Sequence, residues 1–152
     1  MKKNTEIKLL KRDTYLAMIK NSCGSLLWCN NYALVNGKKR DIVHNGSTSC
    51  AFFVSSILKT FDLIKGVHVT VKGTEKDLRK SQWKEILVIP KIAPGSILVW
   101  KEQKGHSHIG FYMGNQKAIS IWIYHNFPII HHWTYNGKRK IIRAYWNKEL
   151  NK

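Results

Sequence analysis

The chain has 152 residues, 26 lysines and arginines against 9 aspartates and glutamates, and a formal net charge of +17. That length fits one domain, and a hydrophobic content of 43% excludes intrinsic disorder, because enough apolar surface exists to offset the entropy of ordering. No apolar run reaches the roughly 18 residues of a membrane-spanning helix, and three cysteines are too few for a disulfide scaffold.

Thr5 to Lys20 reads as a helix, with Ile7, Leu9, Leu10, Tyr15, Met18 and Ile19 on one side and Thr5 or Asn4 as its cap. The chain up to Lys20 is charged throughout and has no apolar segment of the secretory kind. A cytoplasmic protein is therefore expected, and action at the cell wall would need an unconventional export route. Asn21 to Asn45 reads as irregular. Gly46-Ser47-Thr48-Ser49 supplies small, cap-competent residues ahead of Cys50 to Phe61, where the apolar positions 50, 54, 57, 58 and 61 predict a largely buried second helix. Val67 to Val71 alternates as a short strand does. Thr74-Glu75-Lys76-Asp77 has the Ser/Thr-x-x-acid pattern that opens a helix, here over Thr74 to Gln82.

Strands follow. They are Ile86 to Ile89, Ile97 to Trp100 after the Pro94-Gly95 turn, His108 to Met113, and Ala118 to Tyr124. Ile129 to Tyr135 and Lys140 to Trp146 are expected to pair across Asn136-Gly137, a strong hairpin signal. Helices first and an antiparallel meander after them predict an α+β fold, with the N-terminal helices packed on a C-terminal antiparallel sheet. Residues 1–152 form one domain, in which 1–45 hold the first helix and an irregular segment and 46–152 the core that carries the chemistry.

The acidic residues leave a gap. From Gln103 to Lys148 there is none, while Lys104, Lys117, Lys138, Arg139, Lys140, Arg143 and Lys148 all lie there, with five histidines. A field of that sign attracts polyanions, nucleic acid among them, or serves only solubility. A carboxylate-based acid/base pair and a hard-cation site are both disfavoured within this segment.

Cys50 stands at the first turn of the second helix. A helix N-terminus presents free N–H groups and partial positive charge, which favour a thiolate and can hold an oxyanion. The competing role is plain core packing, since free cysteines are often buried. His108 opens a strand just past the loop Lys104-Gly105-His106-Ser107, where a general base would face a cleft, and His106 would share its face. His-x-His also suits zinc, with His131, His132 or a cysteine completing the set. Cys23 and Cys29 are free to bond, to bind metal or to pack.

Three segments together resemble the NlpC/p60 superfamily of papain-like cysteine peptidases and amidases, which includes the CHAP amidases. They are Thr48-Ser49-Cys50-Ala51-Phe52-Phe53-Val54, Pro94-Gly95-Ser96-Ile97-Leu98-Val99-Trp100, and His108-Ile109-Gly110-Phe111-Tyr112-Met113-Gly114-Asn115. The resemblance spans about Asn45 to Ser120. It implies a papain-like fold, Cys50 as nucleophile, His108 as base, and no cofactor. Ser49 and Ser96 stand where the family usually has Asp. Ser120 stands where the family's orienting residue, often His, belongs, with His131 and His132 in reserve. Ser47, Ser49, His106 and Trp122 are the expected substrate contacts.

The function expected on this basis is hydrolysis of a cell-wall peptide or related amide bond. Two alternatives use the same scaffold. One is a polyanion- or nucleic-acid-binding module without catalysis. The other is an acyltransferase working through the same Cys–His pair.

Overall fold

The computed structural model describes residues 5–87, 91–122 and 124–152. The first helix, α1, spans Lys11–Asn21, shorter than the sequence pattern suggests. Thr5 to Leu10 carry no regular structure, and Ile7, Leu9 and Leu10 are exposed. Only Tyr15 and Ile19, one turn apart, are buried from this helix. A helix of this length needs tertiary packing, and the upstream turn has nothing to pack against.

Asn21 to Asn45 is less irregular than expected. Strands β1 (Tyr32–Val35) and β2 (Lys38–Asp41) pair as a hairpin. Its two central residues, Asn36 (φ 51°) and Gly37 (φ 75°), both take the left-handed conformation that a tight hairpin requires. Helix α2 runs Cys50–Thr60, starting where the sequence predicts, with Cys50, Phe53, Val54, Ile57 and Leu58 among its buried positions.

The expected strand at Val67 to Val71 is absent. Val71 instead opens α3 (Val71–Lys80), and the side chain of Thr70 caps it by accepting from the Gly73 amide. Thr74, the expected cap, sits one turn further in and returns its hydroxyl to Thr70 O at 2.9 Å.

The remaining strands are β3 (Lys84–Glu85), β4 (Ile97–Gln103), β5 (His106–Gly114), β6 (Lys117–Ile121), β7 (Pro128–His132) and β8 (Ile141–Trp146), followed by a short 3-10 helix, Lys148–Asn151. Of the two strands expected at Ile86 to Ile89 and Ala118 to Tyr124, residues 88, 89 and 123 lie outside the described residues. Six strands form one antiparallel sheet in the order β3-β8-β4-β5-β6-β7. The meander β4 to β7 is as predicted.

The β7–β8 hairpin is not formed. Asn136 (φ 56°) and Gly137 (φ 81°) do turn the chain, but Tyr135 (φ 53°) joins them in the left-handed region. β7 lies at the sheet edge beyond β6, and β8 inserts between β3 and β4. The connection crosses the outer face of the sheet, where Trp133 O accepts from the Trp100 indole at 2.7 Å. A local turn signal gives the direction change but not the partner.

Strand alternation builds two cores. Ile97, Val99, Ile109, Phe111, Ile119 and Ile121 face the helices and pack with Tyr15, Phe53 and Leu78. Leu98, Trp100, Ala118 and Ala144 face the other way and are covered by the crossing connection through Tyr135. The fold is thus α+β, with the three α-helices of the described residues on one face of the sheet.

Candidate active site

Cys50 and His108 line one cavity of about 820 Å3, together with Ser47, His106, Trp122 and Arg139. The cavity opens where the N-terminus of α2 meets the β4–β5 turn. Cys50 is 8% and His108 5% exposed, so both are recessed in its wall. They reach it from different sides of β5. Register pairs His108 with Trp100, which puts its ring on the outer face, while the next residue, Ile109, packs toward the helices. The thiol of Cys50 lies against the amides of Ile109 and Ala51. No hydrogen bond joins the sulfur to the imidazole among the described residues.

The thiol does not follow the expectation drawn from the helix terminus. Burial pushes Cys50 up, and the surrounding amides and the charge of Arg139 pull the other way without cancelling it. The thiol is therefore protonated near neutral pH. Burial first, and the charge of Arg139 second, hold His108 well below the usual histidine range, so its ring is neutral.

The imidazole is held from behind. His108 Nε2 lies 2.9 Å from Ser120 Oγ and 2.7 Å from the Tyr135 hydroxyl. Ser120 Oγ is also 2.8 Å from His131 Nε2 and 2.9 Å from Tyr135. The far end of this chain fixes its polarity. His131 Nδ1 lies 2.8 Å from the His132 carbonyl oxygen, which can only accept, so Nδ1 carries the proton. Burial brings His131 down to about 4, so the ring is uncharged and its Nε2 is bare.

Ser120 therefore donates to His131 and can only accept from its other neighbours. Its 2.9 Å contact with His108 Nε2 is a hydrogen bond only with the His108 proton on Nε2, which is the tautomer that satisfies both neighbours. His108 Nδ1 keeps a lone pair, makes no hydrogen bond among the described residues, and is not among the buried polar atoms without a partner. Nδ1 thus opens onto the cavity. The whole arrangement is uncharged, in keeping with a segment that lacks carboxylates.

Gly110 makes this possible. A Cβ there would come within 2.7 Å of the Ser120 side chain and the Ile119 carbonyl oxygen. Only a bare Cα lets β5 and β6 lie close enough for Ser120 to reach His108.

The other expected residues divide. Ser47, His106 and Trp122 line the cavity. Ser49 does not; it is fully buried and donates to Gly46 O at 2.8 Å. As N-cap of α2 it makes no side-chain cap, which leaves the first amides of the helix free. His132 faces away and accepts from the amides of Thr134 and Asn136 through Nδ1. Among the described residues no group of three or more His, Cys, Asp or Glu side chains is placed to hold a metal. Cys23 is exposed and free, and Cys29 is buried with its thiol on Asn126 O at 3.0 Å. Tyr135 and Arg139 are the residues sequence reasoning missed. Their signal was an aromatic and a cation on either side of a left-handed turn, which the hairpin expectation read as the end of one strand and part of the connecting turn.

No family model matches the chain, and no curated protein matches it in sequence. Among solved structures it is similar to NlpC2 from Trichomonas vaginalis, with a TM-score of 0.57 and 13% identity over 93% of this chain and 50% of that one. The fold is distantly NlpC/p60-like. The chain spans half the length of that protein, and at this identity the likeness is one of fold alone.

Proposed function

We propose that the protein is a papain-like cysteine hydrolase of the NlpC/p60 type, acting on a peptide or related amide bond of the cell-wall kind. The observation that carries this reading is the shared cavity: Cys50 at the start of α2 and His108 both line it, and the imidazole is held through Nε2 with Nδ1 left free. The likeness in fold to NlpC2 supports it.

The chemistry starts from a neutral pair. As sulfur attacks the amide carbonyl carbon, Nδ1 of His108 takes the thiol proton, and the two must close to hydrogen-bond distance in doing so. The Cys50 amide, uncapped at the helix start, faces the developing oxyanion. Collapse breaks the C–N bond, and Nδ1 gives its proton to the departing amine. Water then attacks the thioester, Nδ1 takes a proton from it, and the thiol leaves with the carboxylic acid released. Ser120 and Tyr135 orient the ring throughout as neutral groups.

Mass spectrometry of digests of soluble cell-wall peptide fragments tests this. Wild type should give fragment pairs that together equal substrate plus water. Cys50→Ala and His108→Ala should each lower the rate by about 100-fold or more. Product formation that survives Cys50→Ala, or no cleavage of any fragment, would overturn the assignment.

A further inference from the structure

Arg139 has an unusual position for a cation. It is 9% exposed, in the wall of the cavity that holds Cys50. Its Nε donates to Lys101 O at 3.1 Å and its Nη2 to His106 O at 2.8 Å. Two backbone carbonyls fix the plane of the guanidinium but do not neutralise it. The ion pairs among the described residues lie elsewhere, at Lys59–Asp62, His68–Asp77, Glu75 with Arg79 and Arg143, and Lys152–Glu149. Arg143 shows the contrast, since its guanidinium is met by Glu75.

Burying a guanidinium without a counter-charge is costly, and proteins normally pair one. The cavity offers no such charge. Its lining adds Lys72 and Lys104 and contains no Asp or Glu. The outer side of Arg139 borders a smaller hollow of about 380 Å3, which also lacks an acid. The guanidinium is close enough to Cys50 for its charge to bear on the thiol. Its carbonyl partners occupy Nε and Nη2, and Nη1 is not among the buried atoms left without a partner. A planar, held fork with a free edge suits a carboxylate.

We infer that the natural ligand of this cavity carries a carboxylate that pairs with Arg139 while its amide bond lies at Cys50. The placement of the amide rests on the hydrolase reading above; the carboxylate subsite does not.

The test uses the Cys50→Ala protein, so that binding is read without turnover. The probes are an N-acetylated tetrapeptide ending in a free carboxylate and the same peptide as its C-terminal carboxamide, titrated by calorimetry. The acid should bind at least tenfold more tightly. Arg139→Gln should bring the acid down to the level of the amide, and Arg139→Lys should keep part of the difference. Thermal unfolding of both variants separates a lost subsite from a lost fold. Lys72→Gln and Lys104→Gln should leave most of the preference intact.

Equal binding of acid and amide, a preference that survives Arg139→Gln, or one lost equally in the lysine variants overturns the inference. Selective binding of the acid with no cleavage by the unsubstituted protein would keep the subsite and end the hydrolase reading. Cleavage of acid and amide at equal rates would do the reverse.

Discussion

The proton on His108 is assigned by a backbone carbonyl two side chains away. His132 O obliges His131 to donate, His131 obliges Ser120 to donate, and Ser120 obliges His108 to donate. The two partners of His108 Nε2, Ser120 and Tyr135, differ in weight. Ser120→Ala removes the acceptor of His108 and the donor to His131 together, so kcat should fall by about 10- to 100-fold, two hydrogen bonds of about 1 kcal/mol each. Tyr135→Phe leaves the Ser120 bond in place and should cost about tenfold or less. In both, KM should hold while the acid limb of the kcat profile moves. A KM rise with an unchanged pH profile would mean that these side chains only shape the cavity. Ser120 was legible from its place in the strand after the base. His131 was legible only as one of two adjacent histidines, because strand parity depends on a register that the sequence does not fix.

At the scale of elements, the start of each helix shows how local signals compete. Two threonines four apart, Thr70 and Thr74, both qualify as caps, and the structure uses the first. The acid of the expected capping pattern, Asp77, then lies in mid-helix and does a different job. It accepts from the amides of Lys65 and Gly66 and from the Ser81 hydroxyl, and it sits 2.7 Å from His68 Nε2. Burial alone would raise its carboxyl, but these partners bring it down to about 2.

A carboxyl lowered in the folded state stabilises above its unfolded value of about 3.9 and loses that contribution as pH falls toward the folded value. Asp77 should therefore contribute about 2 kcal/mol at neutral pH, lost between about pH 4 and pH 2. Chemical denaturation of Asp77→Asn should show a loss of at least that size at pH 7 and a flatter stability curve in that acid window. An unchanged slope there would place the acid sensitivity on other carboxyls.

At the scale of the molecule, +17 on 152 residues is a large self-repulsion, and among the described residues few of the cations are paired. Salt screens such repulsion over about 10 Å at 0.1 M. Raising sodium chloride from about 20 mM to 200 mM should therefore raise the unfolding temperature by a few degrees, about 1 kcal/mol for a chain of this length. A fall instead would mean that the Glu75, Asp77 and Glu149 pairs outweigh the repulsion.

The sequence by itself determined the helix that begins at Cys50, the meander of β4 to β7 and the absence of acid from Gln103 to Lys148. These follow from apolar period, turn residues and composition, which act over a few positions of chain. It placed a hairpin at Asn136-Gly137, where the structure has a turn between strands that do not pair, and read the segment around Asn36-Gly37, where a hairpin does close, as irregular. Only the tertiary structure decided that β8 goes to β4, that the connection carrying Tyr135 and Arg139 crosses behind His108, and that Cys50 ends up protonated rather than ionised. Each of these depends on which surfaces exclude water from one another, and burial is a property of the packed chain rather than of any segment in it.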